Sequence, residues 1–214
     1  MKTILFDLDG TLTQPASGII NSFVYALTRL EEPAPTKESL GWIIGPALRE
    51  SFSKLIKDKD KVETAIAYYR EYYTDKGIFD AHVFEGIPRV LTTLQAKNHR
   101  LFVCTAKPRP FALRVLEHFK LNHFFENVYG PNFDGHMDNK AHLLKLLLEE
   151  NNLPPARCCL IGDRLYDASA ALENAVTPIG ALWGFGSQQE LEEAGVTLFC
   201  AHPNEIIPAI ESLS

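Results

Sequence analysis

Short apolar runs rich in β-branched and aromatic residues alternate along the chain with longer segments whose apolar positions recur at helical spacing. Residues 3–6, 100–104, 127–129, 158–161, 177–182 and 197–200 read as strands. Several are apolar on both faces, as strands covered by helices above and below must be. Residues 87–96, 110–119, 138–150, 165–174 and 187–194 read as helices, the last opening on Ser187 with Glu190 three residues on, a capping-box pattern. The alternation predicts an α/β fold, a three-layer α/β/α core on a mainly parallel sheet.

The segment 14–80 breaks the pattern. It holds no good strand but shows helical periodicity over 19–30, 46–56 and 61–76. Asp60 is placed to cap the third of these and Gly77 to stop it, while Pro33 and Pro35 interrupt the chain after the first. A helical block following the first strand predicts a small cap domain, 14–80, inserted into a core of 1–13 and 81–214. Closure of such a cap would exclude water and set specificity.

Each of three apolar runs delivers polar groups at its carboxyl end: Asp7-Leu8-Asp9-Gly10-Thr11, then Thr105-Ala106-Lys107, then Gly162-Asp163 with Asp167 beyond. In open parallel sheets that edge is where ligands bind. Around a strand end, residues two apart point to one side, so Asp7 and Asp9 face the same volume and Leu8 turns inward. Four clustered carboxylates disfavour one another's ionised forms unless a cation joins them, and Mg²⁺ suits oxygen donors. With a lysine and a hydroxyl nearby, the pattern predicts phosphoryl transfer. Asp7 is the expected nucleophile, forming an aspartyl-phosphate, and Asp9 the acid for the leaving alcohol and base for the attacking water. Thr105 would donate to the phosphoryl group and Lys140 would supply positive charge.

Asp7-Leu8-Asp9-Gly10-Thr11-Leu12, Thr105, Lys140 and Gly162-Asp163-Arg164-Leu165-Tyr166-Asp167 resemble, in order, the four motifs of the haloacid dehalogenase superfamily. The resemblance implies a Mg²⁺-dependent phosphatase with Asp7 and Asp163 as metal ligands and Asp9 contributing its backbone carbonyl. Asp167 would be a ligand or would stand behind the ligands. Gly45-Pro46, Phe84-Glu85-Gly86-Ile87 and Trp183-Gly184-Phe185-Gly186-Ser187 look most like the phosphoglycolate phosphatase and 5′-nucleotidase-like branch. Ala106 departs from the Asn or Ser of many relatives, and Glu85-Gly86 from a more usual Pro-Gly.

Several residues have rival readings. Thr105 could cap a helix starting near Pro108. Lys107 could hold the phosphate in place of Lys140. The acids at 163 and 167 could serve a helix N-terminus. His136 and His142 read as solvated histidines, Gly184-Phe185-Gly186 as a loop without a dinucleotide role, and Tyr68, Tyr69, Tyr72 and Tyr73 as packing of a cap helix. Arg49 could meet a second anionic group of a substrate.

Composition narrows the function classes. Lys and Arg number 21 against 27 Asp and Glu, a net charge of −6, which argues against nucleic acid as the main partner. No apolar run approaches a membrane span or a signal segment, and Cys104, Cys158, Cys159 and Cys200 lack metal-site spacing. The expectation is a cytoplasmic monomer or homodimer with reduced, buried thiols. The resemblance implies hydrolysis of a small phosphorylated metabolite, with phosphoglycolate the first expectation. A 5′-nucleotidase, pyrophosphatase or phosphomutase on the same scaffold is the alternative. A dehalogenase would not need Asp9 or the acids at 163 and 167. A receiver-type phospho-acceptor would lack the helical insert and would hold its phosphate rather than turn over.

Overall fold

The computed structural model describes residues 2–133 and 137–213; His136 lies outside them. In chain order the elements are β1 (Thr3–Phe6), β2 (Thr13–Gln14), α1 (Ala16–Arg29), α2 (Leu48–Leu55), α3 (Asp60–Asp75), β3 (His82–Val83), α4 (Ile87–Ala96) and β4 (Arg100–Cys104). There follow α5 (Arg109–His118), β5 (Asn127–Tyr129), α6 (Lys140–Glu150), β6 (Cys158–Gly162), α7 (Leu165–Glu173), β7 (Thr177–Ala181), α8 (Gln188–Glu193), β8 (Phe199–Cys200) and α9 (Ile206–Ser212). By internal contacts the chain divides into two compact units, Met1–Gln14 with Val83–Ser214, and Pro15–His82.

The first unit is built on a six-stranded sheet, ordered β5-β4-β1-β6-β7-β8, whose neighbours pair in parallel. Leu5, Phe102, Cys104 and Leu160 pack on one face with Leu143, Leu144 and Leu147 of α6 and Ala170 and Ala171 of α7. The alternate residues Ile4, Phe6, Leu101, Val103, Cys159 and Ile161 point to the other face and are equally buried. Burial on both faces explains why these strands read as continuous apolar runs.

In the second unit the tyrosine run of α3 does pack. Tyr69 lies edge-on to Phe23 of α1 at 5.1 Å and stacks on Tyr73 at 5.3 Å, and Phe23 stacks on Phe52 of α2 at 4.2 Å. Arg49 is exposed and pairs with Glu63 of the same unit.

Local details depart from the sequence expectations. Asp60 is the first residue of α3 rather than its cap; the Asp58 carboxylate accepts from Asp60 N–H instead. Ser187 does cap α8, accepting from Glu190 N–H at 3.0 Å. Glu190, however, accepts from Arg164 Nε and from Leu165 N–H, both at 2.9 Å, and so serves the start of α7. β8 begins two residues late because Val196 N–H still bonds back to Leu191 O as the chain leaves α8. No helix among the described residues is long and apolar enough to cross a membrane.

The four cysteines are buried and unpaired with one another. Burial pushes the thiols of Cys104 and Cys159 up to about 12 and those of Cys158 and Cys200 up to about 11. At neutral pH the native chain is therefore expected to leave all four unreacted toward a thiol–disulfide exchange reagent that labels the unfolded chain fully. A rapid native-state burst would contradict this burial.

Candidate active site

Phe6 of β1 lies level with Val103 of β4 and Ile161 of β6, so three strands end together. Asp7 N–H extends the ladder one step, donating to Ile161 O at 2.9 Å. From β1 the chain reaches β4 and β5 on one side and later β6, β7 and β8 on the other. That reversal around β1 opens a crevice at the carboxyl edge, where Asp7, Thr105 and Asp163 emerge.

The turn after Asp7 is held by its own backbone. Leu8 O accepts from Leu12 and Thr13 N–H, both at 2.9 Å, and the fully buried Leu8 and Leu12 anchor the loop. Gly10 has φ +93°, and a Cβ there would run into the Asp163 carboxylate. Asp9 takes a different partner from Asp7. Its Oδ2 pairs with Lys107 Nζ at 2.6 Å, while Oδ1 is buried with no hydrogen-bond partner among the described residues. Burial raises the Asp9 carboxyl above the usual range, opposed in part by Lys107.

Asp7 Oδ1 accepts from Lys140 Nζ at 2.7 Å, and the same ammonium bonds Asp167 Oδ1. Lys140 is the first residue of α6, which starts later than expected because Asn139 caps it, accepting from His142 N–H at 3.0 Å. Burial alone would lower the Lys140 ammonium, but Asp167 and Asp7 more than offset that and hold it above the ordinary lysine range. Asp167 Oδ2 accepts from Arg164 N–H at 3.0 Å, so this acid serves both the helix start and the ion pair. His142 is exposed, as expected of a solvated histidine.

Asp163 is fully buried. Thr11 Oγ1 donates to its Oδ1 at 3.3 Å and Phe185 N–H donates to its Oδ2 at 2.8 Å. Burial, then the charges of Asp167 and Asp7, push its carboxyl well up. Asp167 is raised by burial too, against the pull of Lys140.

Oxygens of Asp7, Asp163 and Asp167 lie within 4.8 Å of one another, a group that could hold a metal ion. Every donor is a hard carboxylate oxygen, which fits Mg²⁺ rather than a soft metal. With Asp9, four carboxylates face the two ammonium groups of Lys107 and Lys140.

The structure thus brings together Asp7, Asp163, Asp167 and Lys140, with Asp9 beside them on Lys107. Thr105 is buried, and its hydroxyl accepts from Lys107 N–H at 3.2 Å; α5 takes no side-chain cap, so the capping role is not the one it plays. The two rival lysines both belong to the cluster, on different acids. The loop after β7 was expected to be only a loop. It supplies the Phe185 donor to Asp163, and a Cβ at Gly184 would strike the same side chain. Trp183 Nε1 ties it to Thr11 O at 3.0 Å. A glycine pair directly after an apolar strand at the shared edge was the available signal.

A family model described as haloacid dehalogenase-like hydrolase matches residues 4–181. A 5′-nucleotidase of Pseudomonas aeruginosa is 38% identical over 210 residues, covering 98% of this chain and 95% of the relative. The tyrosine-protein kinase PtkA of Mycobacterium tuberculosis is 32% identical over 197 residues, 92% of this chain and 67% of that protein. The crystal structure of a predicted phosphatase from Clostridium acetobutylicum superposes with a TM-score of 0.95 at 37% identity, covering 99% of each chain.

Proposed function

The chain belongs to the haloacid dehalogenase-like hydrolases, and from that footing we propose that it hydrolyses phosphomonoesters with Mg²⁺ held by Asp7, Asp163 and Asp167. The observation that carries this reading is the division of the acids. Asp7 shares Lys140 with Asp167, whereas Asp9 sits apart on its own lysine, Lys107. Two carboxylates on one loop in different surroundings take different roles.

Asp7 attacks phosphorus and carries the phosphoryl group as an aspartyl-phosphate. Asp9 gives a proton to the leaving oxygen and then takes one from the water that releases phosphate. Lys140 orients Asp7 through its bond to Oδ1, and Thr105 offers a hydroxyl to the phosphoryl oxygens. A bound Mg²⁺ would neutralise charge on the transferring group. Asp7→Asn and Asp9→Asn thus fail differently: the first loses the nucleophile, the second the proton shuttle, slowing turnover by about 10²–10⁴-fold.

For the substrate, the name borne by the Pseudomonas relative favours nucleoside 5′-monophosphates as the first compounds to try, ahead of phosphoglycolate. A panel of phosphorylated metabolites holding both, with p-nitrophenyl phosphate as the generic reference, decides between them. ATP belongs in the panel too. Transfer to a protein tyrosine, the activity named for the mycobacterial relative, would then appear as labelled protein rather than free phosphate. Stripping with EDTA is expected to abolish turnover, and added Mg²⁺ to restore it. Saturating Mg²⁺ is also expected to raise the melting temperature, by the equivalent of about 1–3 kcal/mol. Full turnover and an unchanged melt in EDTA would defeat the metal assignment.

A further inference from the structure

We propose that Lys107 is a positioning residue for the proton transfer, holding Asp9 by one oxygen so that the other is the atom that delivers the proton. This rests on the reading of Asp9 as the general acid. The geometry is specific. Lys107 Nζ occupies Asp9 Oδ2 at 2.6 Å, and both side chains are nearly buried, 4% and 13% exposed. Oδ1 of the same carboxyl is buried and accepts from no group among the described residues. A buried carboxyl oxygen without a donor is costly, and it is tolerated where a reacting partner completes it. A carboxyl whose Oδ2 already accepts from an ammonium carries its own proton on Oδ1.

Lys107 is itself fixed. It follows β4 by three residues, and its backbone N–H donates to the Thr105 hydroxyl at 3.2 Å. The side chain that offers a hydroxyl to the phosphoryl group therefore also sets the start of the lysine's reach to Asp9. A proton donor on a freely rotating carboxyl would present two equivalent oxygens; here one is committed. As the bond from phosphorus to the leaving oxygen breaks, the Oδ1 proton passes to that oxygen and Asp9 is left as the carboxylate. Water attacking the Asp7 phosphoryl group then returns a proton to Oδ1, and Asp7 leaves as carboxylate with phosphate released. Lys107 gains and loses nothing in the cycle.

The rival role, direct phosphate binding by Lys107, makes a different prediction. Loss of a phosphate ligand weakens every substrate alike. A positioner of the acid matters in proportion to how badly the leaving group needs a proton. Lys107→Met is expected to lower kcat on an alkyl phosphate on the order of 10²-fold while lowering it on p-nitrophenyl phosphate less than about tenfold. In an Asp9→Asn background the same change should cost less than about twofold, because the two residues act as one unit. Lys107→Gln, which keeps a donor toward Oδ2, should lie between wild type and Lys107→Met, and it gives the reading should the Met variant fail to fold.

Equal losses on both substrates, or full additivity with Asp9→Asn, would overturn the inference. The control is Asp9→Asn alone. If that variant shows no preference for the better leaving group, the reading of Asp9 as acid has failed. If it shows the preference and Lys107→Met does not, only the role of Lys107 has failed.

Discussion

Asp7→Asn is expected to lose about 10⁴-fold or more of its phosphatase activity and to keep its fold. The amide has the volume of the carboxylate, and its oxygen can still accept from Lys140 Nζ, now 2.7 Å from Asp7 Oδ1. Asp167 continues to pair with the same ammonium, so no buried charge is stranded. What disappears is the anionic oxygen that attacks phosphorus. The cluster also loses one of three mutually repelling acids, so the metal-free variant should melt no lower than wild type. Steady-state hydrolysis of p-nitrophenyl phosphate and a thermal melt together check this. Turnover within tenfold of wild type would show that another group is the nucleophile.

Lys140→Met should behave in the opposite way, failing in stability as well as in activity. Its side chain is 8% exposed, and its ammonium is the cation that Asp7 and Asp167 share. Without it, three buried carboxylates whose oxygens lie within 4.8 Å have no cation among them. Removing one partner of a buried ion pair costs about 3–5 kcal/mol. For a chain of this length that is a fall on the order of 10 °C in melting temperature. Mg²⁺ supplies charge to the same acids, so it should raise the melting temperature of Lys140→Met more than that of wild type. An unchanged melt, or an equal response to Mg²⁺, would remove Lys140 from the centre of this cluster.

Much of this arrangement is legible along the chain because its signals are local. Thr3–Phe6 is an apolar strand that runs straight into Asp7-Leu8-Asp9-Gly10, so element, edge and acids are read from adjacent residues. The β6 run into Asp163 repeats the lesson. Lys140 has no such context: only its order among the other motifs singles it out, and its ion pairs are visible only in three dimensions. The role of Lys107 was harder to see. Its partner, Asp9, lies almost a hundred residues earlier, and the pairing depends on the register that sets β1 beside β4.

The loop from Trp183 to Ser187 was hard to read for another reason. It contributes a backbone N–H, which any residue but proline carries, and an absence of side chains, marked only by Gly184 and Gly186. Glu190 shows the converse error. Its spacing from Ser187 fits a local capping box, yet the carboxylate goes to Arg164 and Leu165 of a different helix. Tertiary competition for a polar group overrides a local pattern wherever a buried helix start needs an acceptor.

The most direct test of the whole account is a rapid acid quench during turnover of a phosphomonoester, followed by mass mapping of the denatured chain. One phosphoryl group is predicted on the peptide holding Asp7, labile to hydroxylamine as an acyl phosphate is, and gone once substrate is exhausted. Hydrolysis with no labelled protein at any time, or a stable label on Asp9 or elsewhere, would contradict it.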